Sequence, residues 1–446
     1  MSRWTTRLLA EYTRDLAGAI PDAALCTAAG NALLDLIGCA AAGFSAPAAR
    51  AARAAALKLY SGGPARIWFD PGRQCAAGAA LANSTAASAL DLDDGHRKAG
   101  GHPGAAMVPA VLALAPEAGA SGRDLILALA AGYEVSVRIG AARDFSRLDT
   151  LSTGRWCAYG VVAAAGLLGR DDPDVLAQAF SIAGVLSPGL SAAGYSMLMG
   201  NQVKEGIPWA VMTGLSALEM ARSGMTGPLD ILDHPGYFDA AAVRAALGCG
   251  FLLSSVYFKP YACCRWIHAA VDALEALLAM PGGGRRIPGE IRVLEVHTFE
   301  RALRLNNHAD PETLEAAQYS LPFCLALAAV EGVDALLPMS PETLHRREVV
   351  DLARRVRLHV DAALDSRFPD EAGARVKVCF MDGEVEKTVH HPLGDPANPM
   401  DRRMLAEKFR KLAAGTLGPE NLKALPELIG RLDQLAEIQP LIDCLE

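Results

Sequence analysis

A mainly helical protein carrying a smaller α+β section is what this sequence predicts, and three observations predict it. Apolar residues recur at helical spacing from residue 5 to about 255, short alternating runs replace them after Lys259, and helical spacing returns beyond Pro399. Alanine dominates long stretches, and only 6% of residues are aromatic although 51% are hydrophobic. Alanine is the best helix former and has little bulk, so this composition favours closely packed helices over sheets. At 446 residues the chain is too long for one ordinary core. The division read from the pattern is an all-helical domain at 1–257 and 398–446, with an α+β domain at 258–397.

Along the first part, turn signals separate the helical runs: Ser61-Gly62-Gly63-Pro64, Asp70-Pro71-Gly72 and Gly169–Pro173. Ser121 precedes a Gly-Arg-Asp triplet and the apolar run from Leu125, which is a helix start. Asp172-Pro173 opens another, with proline in the first turn. Gly154, Gly160, Gly166, Gly206 and Gly214 fall inside helical patterns. Each costs about 1 kcal/mol relative to alanine, and close helix–helix contact is the expected reason. Beyond Lys259, Arg292–Phe299 alternates with period two and reads as a strand, as does Val356–Val360. Arg375–Phe380 and Glu384–Val389 flank Met381-Asp382-Gly383, a hairpin signature. Helical spacing then runs from Asp401 through Leu435, and such a tail most simply rejoins the first helical body.

Charge and cysteine usage exclude several function classes. The net charge is −8 and the pI near 5.7, with no long basic run, so neither nucleic acid nor an anionic membrane finds the basic stripe it needs. Arg3, Arg7, Glu11, Arg14 and Asp15 interrupt any signal-peptide core, and the Ala-rich stretch Leu125–Tyr133 is too short to span a bilayer. A cytoplasmic location is the expectation. The ten cysteines are scattered among alanines and leucines, as reduced buried thiols are. Cys263 and Cys264 are adjacent and have no CxxC partner, so no metal or iron–sulfur site is read, and no cofactor.

Three constellations could carry chemistry. The first is Ala89-Leu-Asp-Leu-Asp-Asp-Gly-His96, followed by Gly101-His102-Pro103-Gly104. Asp91, Asp93 and Asp94 lie beside His96 and His102, the combination an acid/base centre uses when a carboxylate fixes the tautomer of a near-neutral histidine. The same residues also suit a capped polar helix end, or Asp/His metal binding. The second is Gly200–Trp209, where Lys204 sits among small residues close to Gly206. A lysine held in an apolar pocket anchors a carboxylate or acts as a base, whereas a snorkelling surface lysine gives the same pattern. The third is Phe258-Lys-Pro-Tyr-Ala-Cys-Cys-Arg-Trp-Ile-His268, at the border of the two predicted domains. Lys259, Arg265 and His268 offer cationic donors where clefts often form; a plain linker with structural cysteines is the competing reading.

Taken together, these segments resemble the MmgE/PrpD family over nearly the whole chain. The residues that carry the resemblance are Ala89–His96, His102-Pro103 with Val108–Ala115, Gly132-Tyr-Glu-Val135, Gly224-Met-Thr-Gly-Pro228, Lys259–His268, and Gly394–Pro399 with Lys408-Phe409. The resemblance implies a large all-helical domain built from both chain ends, a smaller α+β lid, and a homodimer. Activities of the family include 2-methylcitrate dehydration, cis-aconitate decarboxylation and iminodisuccinate epimerisation, none needing a metal or organic cofactor. Each moves a proton at a carbon close to a carboxylate or imine, so each must stabilise a carbanion-like state with cations and a positioned acid/base.

By position, Asp91, His102 and Lys204 match residues the family places in its pocket. The resemblance implies His102 as acid/base, Asp91 orienting it, and Lys204 binding a carboxylate or shuttling a proton. His96, Arg155, Lys259, Arg265 and His268 are the candidates for holding the remaining carboxylates of a small di- or tricarboxylic acid. Two positions depart from the pattern. Leu151 stands where dehydratase- and decarboxylase-like members often carry histidine, and Phe323 replaces the tyrosine expected after Ser320, with Tyr319 assigned to another helical face. Arg155 favours a dicarboxylate, as in an epimerase-like member. The leading expectation is a cofactor-independent lyase of the hydro-lyase type, with an epimerase or isomerase and a catalytically idle ligand-binding member as the alternatives.

Overall fold

The computed structural model describes residues 4–148, 150–188, 201–279 and 288–446. Helices dominate it. The helix Ala23–Gly43 starts where the Asp22 side chain accepts from Leu25 N, and Gly122–Ala141 starts at a reciprocal capping box between Ser121 and Asp124. Asp172 caps Pro173–Leu186, and Asp401 caps Arg402–Ala413. In each case an oxygen satisfies an amide that the first helical turn leaves without an intrahelical partner.

The apolar side chains gather into two main cores. The larger draws on residues from Leu9 to Phe258 and again from Met400 to Leu445. The smaller runs from Tyr261 to Phe380. Alanine and glycine let the helices of the larger core approach closely. A Cβ on Gly160 would collide with the Gly132 carbonyl, and one on Gly214 would fall 2.6 Å from Val161 Cβ. Close packing therefore accounts for glycine at those two positions. Gly206 has a different reason: it is the N-cap of Ile207–Arg222 at φ +65°, a backbone region that glycine enters without penalty.

Ala23–Gly43 is apolar and long enough to cross a membrane, which the sequence reading did not anticipate, yet 67% of its apolar window is buried inside the protein. Its Asp35 takes an ion pair of 2.7 Å from Lys408, brought by the helix Arg402–Ala413. The tail thus packs against the N-terminal helices, where a Cβ on Gly38 would meet Phe409 Cα at 3.3 Å.

The smaller core includes a four-stranded sheet. Val293–Thr298 pairs in parallel with Val356–Val360 and antiparallel with Ala374–Cys379, which pairs in turn with Glu384–Val389. The hairpin closes through Phe380 N to Gly383 O at 2.8 Å. One correction concerns the first part of the chain, which is not purely helical. Ala65–Arg66 pairs with Arg73–Gln74. Two-residue strands are too short to leave a period-two signature, and only the Asp70-Pro71-Gly72 turn signals them.

Candidate active site

The aspartate-rich loop lies where the two cores meet. Gly95 exchanges amide–carbonyl bonds with Tyr257, at 3.0 and 2.8 Å, and Phe258 N donates to Gly394 O at 3.0 Å. These links bring the first and third constellations to one cleft. Asp94 fixes the loop from within. Its Oδ1 accepts from Gly104 N at 2.9 Å and its Oδ2 from the Tyr133 hydroxyl at 2.6 Å. Burial pushes its carboxyl up to about 7, against the lowering effect of those hydrogen bonds.

The main-chain oxygen of Asp94 sets the state of His102. Nδ1 of His102 lies 2.8 Å from that carbonyl, which can only accept, so Nδ1 carries the proton and Nε2 is the basic nitrogen. Nε2 faces Asp91 Oδ1 at 4.0 Å and Glu205 Oε1 at 3.8 Å, while Asp93 Oδ2 stands 3.9 Å from Nδ1. Burial would lower the His102 pKa, but Asp93, Glu205 and Asp91 outweigh it and the net direction is upward. A histidine that holds its proton more tightly, yet keeps one nitrogen directed into a cleft, can act as base and then as acid near neutrality.

Asp91 stands in a left-handed backbone conformation at φ +54° and Lys204 in another at φ +50°. Non-glycine residues in that region store about 1–3 kcal/mol each and gather at functional sites. Lys259, wholly buried, places Nζ 3.0 Å from Asp91 Oδ2. Burial opposes ionisation of Asp91, but Lys259, Lys204 and His102 together hold its carboxyl well below the usual range. Lys204 donates to Ser88 O at 3.3 Å, Ala89 O at 3.1 Å and Gln318 Oε1 at 2.6 Å. These contacts fix the position of its ammonium group, while burial lowers its pKa against the pull of Asp91 and Asp93.

The cleft has an inner arm with Asp91, Asp93, His102, Lys204, Glu205 and Tyr319 in its wall. An outer arm is lined in part by His102, Glu205, Tyr257, Arg265, Tyr319 and Leu151. Arg265 spans 2.8 Å to Leu393 O and 3.1 Å to Pro392 O, with its guanidinium 4.8 Å from the Tyr257 ring centre. Arg97 at the mouth pairs with Asp395. Among the described residues, no group of three or more His, Cys, Asp or Glu side chains has a metal-holding arrangement.

Asp91, His102, Lys204, Lys259 and Arg265 are therefore brought together, and three other expected contacts are not. His96 is buried with both ring nitrogens unpartnered, and burial lowers its pKa to about 3. His268 lies wholly inside; its Nε2 donates to Cys263 O at 3.1 Å and its Nδ1 accepts from Arg265 at 3.2 Å, so it positions the arginine. Arg155 lines a separate recess with Arg147 and Tyr159. It ends the short turn Thr153–Arg155, in which the Thr153 hydroxyl is the residue turned toward the His102 loop.

Tyr319 is a second correction. It precedes the helix Leu321–Glu331, whose N-cap is Ser320, so no helical face constrains it and it lines both arms of the cleft. Phe323, one turn into that helix, is buried in the smaller core. Glu205, Gln318, Thr153 and Tyr257 were not singled out from sequence as site residues. Of these, only Glu205 carried a signal, its position beside Lys204.

Comparison with known proteins adds independent findings. The family model for the MmgE/PrpD N-terminal domain matches residues 7–246, and that for the MmgE/PrpD C-terminal domain matches residues 261–434. The chain is 29% identical over 454 residues to the cis-aconitate decarboxylase of Aspergillus terreus (strain NIH 2624 / FGSC A1156), covering 93% of this chain and 90% of that protein. It is 28% identical over 407 residues to the cis-aconitate decarboxylase-like protein oryM of Aspergillus oryzae (strain ATCC 42149 / RIB 40), covering 82% and 81%.

Proposed function

The chain belongs to the MmgE/PrpD family, and from that premise we propose that it is a cofactor-independent lyase that moves a proton at a carbon next to a carboxylate of a small di- or tricarboxylic acid. The observation that carries this reading is the His102 ring. Its Nδ1 proton is held by a main-chain carbonyl, and its Nε2 is aimed into a cleft lined by carboxylates and cations. His102 takes the proton through Nε2 and returns it to the leaving hydroxyl or to carbon. Asp91 and Glu205 stabilise the imidazolium formed in between. Negative charge then develops on the substrate's carboxylate-stabilised carbanion. Lys204 and Arg265 supply the cations that meet it, already fixed by their backbone contacts, so little reorganisation is needed at the transition state.

Dehydration, in which a hydroxyl leaves from the neighbouring carbon, is the hydro-lyase form of this chemistry. The decarboxylase relatives favour a variant in which CO2 leaves and His102 only donates. Epimerisation, where the proton returns to the opposite face, uses the same residues with a second acid such as Tyr319. Mass spectrometry together with chiral chromatography of reactions with a panel of hydroxy-, amino- and unsaturated di- and tricarboxylates separates the three. A product lighter by water is expected; loss of CO2 or unchanged mass with altered stereochemistry would select the alternatives. Turnover of none of these acids, in folded protein, would overturn the reading.

A further inference from the structure

One carboxylate in the cleft has more fixing contacts than orienting a histidine requires. Glu205 Oε2 accepts from the Thr153 amide at 2.9 Å and also from the Thr153 hydroxyl. The same hydroxyl oxygen accepts from His102 N at 2.9 Å. Gly154 N, the next amide, donates to Glu205 O at 2.9 Å. Side chain and main chain of Glu205 are thus clamped to the turn that also holds the His102 loop. Oε1 is left with no hydrogen-bond partner among the described residues. It stands 3.8 Å from His102 Nε2, and Glu205 lines both arms of the cleft. Leu151, close by in the outer arm, offers no hydrogen bond.

A carboxylate fixed beside the proton-transferring nitrogen repels a substrate carboxylate and rewards a donor. We propose that Glu205 is a specificity-determining residue. In this proposal it accepts a hydrogen bond from a hydroxyl or ammonium group on the substrate carbon adjoining the one at which His102 works. The inference rests on the proposed function and narrows it, because it selects hydroxy- or amino-polycarboxylates over those with carboxylates alone. The substrate's own carboxylates then turn toward Lys204 and Arg265, on the cationic side.

The test is binding of matched pairs by calorimetry: citrate against tricarballylate, and malate and aspartate against succinate, with wild type and Glu205→Gln. A hydrogen bond to a charged group is worth about 1.5–3 kcal/mol, so the donor-bearing acid of a pair should bind about 10- to 100-fold tighter to wild type. The malate and aspartate arms distinguish hydroxyl from ammonium. Both Thr153 donors reach one oxygen of Glu205, so the glutamine carbonyl takes that place and its NH2 faces the cleft. The acceptor becomes a donor while the clamp is kept, and the preference should vanish or reverse. Equal wild-type affinity within every pair, or an unchanged preference in folded Glu205→Gln, overturns the inference alone. Binding of none of the acids overturns the proposed function with it. Should Glu205→Gln fail to fold, the wild-type pairs still decide.

Discussion

Replacing Lys259 with methionine would strand the Asp91 carboxylate in a buried wall. The pair is 3.0 Å apart, with side-chain exposures of 0% and 6%. At an effective dielectric of about 20, unit charges at that separation attract by about 5–6 kcal/mol before desolvation is counted. Breaking a buried pair by removing one partner costs about 3–5 kcal/mol. Lys204 and His102 remain as partial compensation, so Lys259→Met should fall near the lower figure. Its pH dependence has a definite sign. In wild type the folded-state pKa of Asp91 is depressed, so its stabilising contribution is full above the unfolded value of about 4 and is lost as pH falls through the folded one. Without Lys259, burial, the largest influence on the group, draws the folded value upward. The penalty is then full at alkaline pH and fades as pH falls toward 4. Adding Asp91→Asn removes the stranded charge, and asparagine tolerates the left-handed backbone that Asp91 occupies. The double variant should recover most of the stability and none of the turnover. Chemical denaturation at pH 5 and pH 8, with activity measured beside it, checks all of this. A Lys259→Met protein as stable as wild type at pH 8, or a double variant weaker than the single one, would refute the reasoning.

Other outcomes follow from the same contacts. His102→Ala should lower kcat/KM by about 100-fold or more; a loss of only about tenfold in folded protein removes His102 from the acid/base role. His96 stays neutral when folded, so stability drains away as pH falls below the unfolded value of about 6.5, because the unfolded chain takes up the proton. His96→Phe should therefore flatten acid unfolding, read from thermal melts between pH 4 and 7, with activity kept. A Cβ on Gly104 would overlap Asp94 Oδ1, so Gly104→Ala should cost about 1–3 kcal/mol and depress kcat by displacing the carbonyl that holds His102; unchanged kcat would contradict that link. Lys408 donates to Leu92 O at 2.9 Å as well as to Asp35. Lys408→Met should cost about 3–5 kcal/mol, and adding Asp35→Asn should restore melting temperature but not full kcat.

The sequence made the helices, the strands after Lys259 and five of the side chains gathered at the cleft legible for physical reasons. Capping residues and period-two runs are local signals, as at Ser121 and Val293–Thr298. Asp91 and His102 were legible because they crowd one short loop. What was not legible depends on contacts distant in sequence. Glu205 meets His102 across 103 positions and Gln318 meets Lys204 across 114, and no spacing rule predicts such pairs. Tyr319 was misplaced because a helical face was assumed for a residue lying just before the N-cap. Motif position and the family resemblance make His96, His268 and Arg155 candidates for holding carboxylates, whereas burial sets the two histidines apart from the cleft and Arg155 lines a separate recess.

The central claim is that His102 transfers a proton at a carbon beside a carboxylate. Proton NMR of di- and tricarboxylic acids in deuterated water, with wild type, His102→Ala and Lys204→Ala, tests it most directly. The account predicts deuterium entering that carbon with wild type, an almost complete loss in His102→Ala, and a weaker signal at low substrate concentration in Lys204→Ala. Deuterium incorporation that persists at the wild-type rate without His102 would contradict it.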